Sequence, residues 1–218
     1  ATVNFTGASL VGVITPDIVT INSSSYSATF DTRNVGNGKP VTVGGVVLGG
    51  TDAGNYTVSQ PGGLTANITP LNLSISGAVA TNKTYDRATT ATVSFTGASL
   101  NGVISPDVVT IDSTGYSANF DTKDVGAGKA VTVTGVVLGG TDAGNYSVSQ
   151  PSLTANITAK ALSISGAVAN NKAYDRTTTA TVDFTGASLN GVISPDTVTI
   201  NSSSYTANFD TKNVGTGK

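Results

Sequence analysis

Tyr85-Asp86-Arg87 and a second copy, Tyr174-Asp175-Arg176, put an aromatic ring, a carboxylate and a guanidinium on three successive residues. On a loop, such a triplet would suit a polar ligand, the ring offering a stacking face and the charges two hydrogen-bonding heads. The structural reading, which we favour, has the tyrosine plugging the end of a β domain while Asp86 or Arg87 bonds the loop backbone. A second set is Asp52, Gly54 and Tyr56, repeated as Asp142, Gly144 and Tyr146 within Gly-Gly-Thr-Asp-Ala-Gly-Asn-Tyr. Its composition bears a superficial likeness to calcium-binding glycine–aspartate repeats. It lacks their nonapeptide period, and one carboxylate per copy is thin for a cation that takes roughly six or more oxygens. A calcium site at a domain junction would need Asp107, Asp121 and Asp124 to converge. Lys129 raises the idea of a lysine–asparagine isopeptide crosslink. That reaction usually uses a buried carboxylic acid, commonly Glu, and the chain has none.

Composition narrows the chemistry further. Cys, Met, Trp and His are absent, and all 13 acidic residues are aspartates. The commonest general base, every thiol nucleophile and the usual soft or imidazole metal ligands are therefore missing. Each polar motif is copied into every repeat whose span covers it, which suits a spacer or multivalent binder, where reach and avidity grow with copy number. Neither an enzyme nor a bound cofactor is expected. A net charge of −2 argues against a nucleic-acid partner and against a polybasic membrane contact. No apolar run approaches the ~20 residues of a membrane span. A carbohydrate-binding module would want exposed Trp or Tyr platforms, and there is no Trp. Thr on strand faces and several Asn-x-Ser/Thr sequons, among them Asn67-Ile-Thr69, read as ordinary features of an Asn- and Thr-rich β chain.

The elements that must position these residues are strands. Ala91, Val93 and Phe95 alternate with Thr92 and Ser94, and Tyr116, Ala118 and Phe120 form a second alternating set. Ala130 to Leu138 is the longest apolar run and is expected to be a central strand, with Asp121 to Lys129 as a connection before it. In the Asp52 motif, Asp52 is expected to fix a turn and Gly54 to take φ > 0. Tyr56, Val58 and Gln60 would then open a strand. The Asp, Gly, Tyr spacing resembles the tyrosine corner of an immunoglobulin-type sandwich. Seven or eight short strands per unit, and no helical period, predict an all-β fold.

The sequence repeats. Ala1 to Leu10 recurs from Ala91 and again from Ala180 with only the fourth residue changed, so the offsets are 90 and 89. That period is too long for a solenoid coil and matches one β-sandwich domain. The expectation is a tandem of immunoglobulin-like sandwiches, with a β-grasp-like β-rich domain as the alternative. Residues 71–159 are read as one complete repeat, 1–70 as a repeat lacking its first strand, and 160–218 as one lacking its last strands.

Four stretches now combine: Asn-Lys-x-Tyr-Asp-Arg-x-Thr-Thr-Ala-Thr, Asp-x-Lys-x-Val-Gly-x-Gly-Lys, Gly-Thr-Asp-Ala-Gly-Asn-Tyr and Leu-Thr-Ala-Asn-Ile-Thr. Together they resemble the YDG repeat domains of bacterial surface proteins, which occur in tandem in large secreted adhesins similar to filamentous haemagglutinin. The resemblance implies a secreted or cell-surface location and a spacer or stalk role in attachment or biofilm matrix. It implies no catalysis. Expected partners are neighbouring repeats, other copies of the chain and an unidentified surface receptor. A filament built by strand exchange between copies is the alternative assembly. One departure stands out. The family's third motif residue is usually glycine, and here it is Arg87 or Arg176, so the loop is expected to adopt a conformation open to arginine.

Overall fold

A computed structural model describes residues 1–218. The chain is all-β, with twenty short strands and two one-turn 3-10 segments at Ala53–Asn55 and Ala143–Asn145. The strands fall into eight small sheets of two to four strands. No helix is long and apolar enough to cross a membrane.

The longest strands, Gly36–Gly44 and Gly126–Thr134, occupy equivalent places in successive repeats. In the latter, Val131 and Val133 are buried, while Ala130, Thr132 and Thr134 face outward, the period of two that a half-solvated strand requires. Gly126–Thr134 is central in its sheet, flanked antiparallel by Ser117–Phe120 and Ser152–Thr158. Lys83–Thr84 joins in parallel on the far side of Ser152–Thr158. The expected limits shift. The strand begins at Gly126, through a bulge between Gly126 and Lys129, so those residues belong to the ladder and not to a connection. It ends before Gly135, whose left-handed φ of 79° turns the chain into the separate strand Val137–Gly139.

Tyr146–Ser149 is a strand as expected, paired in parallel with Leu71–Ser76 from Tyr146↔Leu71 to Ser149↔Ser74. The equivalent Tyr56 keeps extended backbone at φ −127°, ψ 155°, but residues 56–60 join no ladder. Extended conformation is local, whereas a ladder needs a partner.

Two compact units divide the chain. The first comprises Ala1–Gly77, Gly97–Gly115 and Gly135–Pro151; the second comprises Ala78–Thr96, Tyr116–Thr134 and Ser152–Lys218. In the first, Val41, Val43 and Val46 form a buried cluster closed by Phe5, Tyr26, Phe30 and Leu64. Leu73 and Val136 are buried in the same unit. The second is built on Phe120, Val131, Val133 and Ile157, with Ala91, Val93 and Ala118 beside them. Glycine marks the divisions: Gly77 is left-handed at φ 78°, and a Cβ there would lie 2.7 Å from the Gly97 carbonyl oxygen. The sequence period and the compact unit are thus different divisions, since the middle repeat supplies strands to both.

Candidate functional site

The Tyr-Asp-Arg loop follows the strand Lys83–Thr84, and the Tyr85 amide still donates to Thr158 O at 2.8 Å. Asp86 then folds the loop. Its Oδ1 accepts the Ala88 amide at 2.9 Å and meets Lys83 Nζ at 2.7 Å. Those bonds, the lysine's first, hold its carboxyl below the usual range. Lys83 is half-buried and also donates to the carbonyls of Ala88 and Thr90 at 2.9 and 3.0 Å. Its ammonium sits 5.8 Å from the centre of the Phe120 ring. Asp86 bonds loop backbone, in line with the structural reading. Arg87 does not adopt an arginine-friendly conformation. It sits left-handed at φ 68°, and Arg176 at φ 67°; no other non-glycine residue in the chain has positive φ. The loop keeps the backbone that a glycine would favour, at a cost of roughly 1–2 kcal/mol for an L-residue.

What offsets that cost lies 109 residues further on. Arg87 Nη1 donates to Asp196 Oδ1 at 2.6 Å, and the Tyr85 hydroxyl donates to Asp196 Oδ2 at 2.9 Å. Both carboxylate oxygens are engaged, and both side chains of the ion pair are about three-quarters buried. Asp196 is held in place by a turn, its amide donating to Ile193 O at 2.8 Å just after the cis Ser194–Pro195 bond. Lys123 Nζ stands 5.7 Å from the Tyr85 ring centre. The hydrogen bond with Asp124 first, and Tyr85 second, push its ammonium pKa up. All these residues lie in the second unit. The tyrosine and arginine therefore form a clasp on a Pro-Asp turn belonging to the next repeat.

In the other copy of the motif, Asp175 accepts the Thr177 amide at 2.9 Å and Lys172 Nζ at 2.9 Å. These bonds, the Thr177 amide foremost, lower its carboxyl to about 2. Tyr174 and Arg176 are exposed and have no hydrogen-bond or ion-pair partner.

The Asp52 and Asp142 motifs act on Pro-Asp turns as well. Tyr146 donates its hydroxyl to Asp107 Oδ2 at 2.8 Å and accepts the Ile104 amide at 3.2 Å. Tyr56 does the same with Asp17 at 2.6 Å and the Ile14 amide at 3.1 Å. Both hydroxyls titrate above their ordinary value, Tyr56 mainly through the Asp17 bond and Tyr146 mainly through burial. Asp142 Oδ2 accepts the Val108 amide at 2.9 Å, and Asp52 Oδ2 the Ile18 amide at 2.8 Å. The Val108 bond is the main cause of the lowered Asp142 carboxyl. These contacts reach 34 to 42 residues upstream. The aspartates therefore strap a distant turn, and their side chains accept no N–H of the 3-10 turns that they begin. The expectation for Gly54 is corrected. Gly54 and Gly144 sit in the middle of 3-10 turns without positive φ, and a Cβ on either would meet nothing. The residue that must be glycine is Gly50, and likewise Gly140. Their φ values are 101° and 99°, and a Cβ would collide with the carbonyls of Ile18 and Val108 respectively.

In the first unit, residues of the first repeat touch this strapped turn. Arg33 Nη2 lies 3.4 Å from Asp107 Oδ1 and 3.5 Å from Asp142 Oδ1. Asn145 Oδ1 accepts the Val35 amide at 2.9 Å. Sequence reasoning did not assign Arg33, Asn145 or Asp196. The available signal was the Pro-Asp pair, present at the same place in all three repeats as Asp17, Asp107 and Asp196.

No three acidic side chains gather as a metal site. Asp107 is engaged by Tyr146 and Arg33, Asp121 by Lys129 at 2.9 Å, and Asp124 by Lys123 at 3.3 Å. Lys129 also donates to Thr122 Oγ1 at 2.7 Å. The Lys129 bond is the main reason that the Asp121 carboxyl is lowered, which favours an ion pair over the protonated acid that amide condensation would use.

The strapped Pro-Asp turns and the tyrosine-led loop define a tandem β-repeat whose signature residues bond turns distant in the chain. The chain matches the YDG domain over residues 1–63, 69–154 and 158–218, and it belongs to that family. Comparison with curated proteins and with solved structures returns no match.

Proposed function

We propose that this chain is a spacer or stalk segment of an exported bacterial adhesin, carrying a binding tip away from the cell in surface attachment or biofilm matrix. The observation that carries the reading is the clasp of Tyr85 and Arg87 on Asp196, because it ties the signature motif of one repeat to a turn of the next. A junction held by side chains on a short connection transmits position from one repeat to the next, as a Gly/Ser linker does not. The Arg33 contacts with Asp107 and Asp142 support the same role at the preceding junction. We assign the chain no catalytic step.

Increasing numbers of repeats placed between a surface anchor and a known binding tip test this reading. Attachment of intact cells across a polymer brush should rise with repeat number, and the repeats should label with antibody without permeabilisation. Attachment independent of repeat number, or repeats retained inside the cell, would overturn it.

A further inference from the structure

Three places in the chain join asparagine to glycine: Asn37-Gly38, Asn101-Gly102 and Asn190-Gly191. In such a pair the backbone nitrogen of the glycine can attack the carboxamide carbon of the asparagine. No Cβ shields that nitrogen, and glycine lets the backbone rotate into position. The three pairs are chemically alike, and the fold treats them differently. Asn101 and Asn190 hold the same place in successive repeats, after Leu100 and Leu189, where the first repeat has Val11. Each is the last residue of its strand, in the terminal pairs Asn101↔Ser74 and Asn190↔Ser163. The chain then leaves the ladder through Gly102 at φ 101° and Gly191 at φ 96°. Both asparagines and both glycines are exposed.

Attack needs the carboxamide carbon brought onto the next backbone nitrogen, and an extended ladder holds the two apart. The reaction therefore waits on local opening, which costs least at the end of a ladder. Asn37 lies inside the nine-residue strand Gly36–Gly44, and the Gly38 amide, its nucleophile, donates to Asn67 Oδ1 at 2.8 Å. Asn190 stands at a ladder end, but its Nδ2 donates to Ser165 Oγ at 2.9 Å, which fixes the carboxamide across the strand pair. The corresponding Ser76 bonds Ser99 at 3.0 Å and not Asn101, whose carboxamide carries no hydrogen bond. Asn101 thus combines a ladder end, an exposed glycine after it and a carboxamide free to turn.

We propose that Asn101 is a site of spontaneous covalent modification, converted by its own Gly102 amide and water into a mixture of aspartyl and isoaspartyl residues. Gly102 N forms a bond to Asn101 Cγ, its proton leaves with Nδ2 as ammonia, and a succinimide ring closes. Water then adds to one of the two ring carbonyls. Cleavage of the new N–Cγ bond gives aspartate, and cleavage of the original peptide bond gives isoaspartate; nothing is oxidised or reduced. Either product puts a negative charge opposite Ser74, and isoaspartate adds a backbone methylene at the end of the Ser99–Asn101 ladder. Asn190 follows more slowly and Asn37 last. The reaction is local and does not depend on export or on a spacer role, so its failure would leave those readings untouched.

Incubation of the 218-residue chain in mildly alkaline buffer, followed by peptide mapping with mass spectrometry, tests the proposal. Asn101 should be converted first, with isoaspartate detected by its methyltransferase. Asn190 should lag about fivefold, the worth of one hydrogen bond, and Asn37 further still. In strong urea the three rates should converge, because only the fold separates them. Ser165→Ala should keep the β circular dichroism of the parent and bring Asn190 up to the rate of Asn101. Asn101 left intact in the folded chain while it is converted in urea would overturn the proposal. So would equal rates at the three sites in the folded chain, or an Asn190 rate that Ser165→Ala leaves unmoved.

Discussion

Arg87 holds a left-handed backbone at φ 68° and from it sets Nη1 2.6 Å from Oδ1 of Asp196, across 109 residues of chain. The two facts are one arrangement. A residue in the right-handed region would aim its side chain elsewhere, so the strained backbone and the ion pair are retained together.

Substitution at this position separates the two contributions. Arg87→Gly and Arg87→Ala both remove the ion pair, but only alanine keeps an unfavourable φ. The glycine variant should be more stable than the alanine variant by about 1 kcal/mol, read from urea midpoints. Equal midpoints would mean that the left-handed backbone costs nothing.

A second pair of variants inverts the sequence expectation for the Asp142 motif. Gly140→Ala drives a Cβ into the Val108 carbonyl and should cost about 3 kcal/mol or more. Gly144→Ala meets nothing within 4 Å and should stay within about 0.5 kcal/mol of the parent. Similar losses at both positions would contradict the turn geometry.

Hydrogen exchange reads the strap on Asp107. In Tyr146→Phe the Ile104 amide loses its acceptor and should exchange at least roughly tenfold faster. The Val93 amide, bonded at 3.2 Å to the Tyr116 hydroxyl, should not change. Unaltered exchange at Ile104 would show that its protection comes from elsewhere.

Acid should unfold the chain over a defined window. The carboxyls of Asp31, Asp86 and Asp121 are depressed below 3.8, each first by its lysine partner, and Asp175 falls to about 2, first through the Thr177 amide. For a depressed acid, the folded state binds fewer protons than the unfolded one. Its stabilisation is complete above 3.8 and is lost as pH falls through the folded value. Melting temperature should therefore stay level above 3.8 as far as these groups are concerned, and fall between there and about 2. Asp86→Asn and Asp175→Asn should each flatten the fall. A decline centred well above that window would implicate other groups.

What the sequence disclosed was whatever depends on neighbours along the chain. Ala91, Val93 and Phe95 do share an inward face, with Ala91 and Val93 buried and Phe95 half-buried. Ala118 and Phe120 are buried as their alternation implies. The Tyr146 strand is present, but whether Tyr56 would also enter a ladder could not be read from its own residues, since ladders depend on a distant partner. Side-chain partners were hidden for the same reason. Whether Asp107 would converge with Asp121 and Asp124 could not be placed from the sequence, because a carboxylate has no period that marks its partners; its contacts are with Tyr146 and Arg33. The motif held two candidate glycines for a left-handed corner, and nothing local distinguished Gly50, pressed on Ile18, from Gly54, which faces open space.

The reach of the clasp exceeds one period of the sequence, so its partner is fixed by place within a repeat and not by which copy supplies it. A recombination that joins equivalent points of two repeats would add or delete whole copies while still presenting each Tyr-Asp-Arg loop that has a repeat after it with a Pro-Asp turn. Copy number can thus change without any new contact having to be invented.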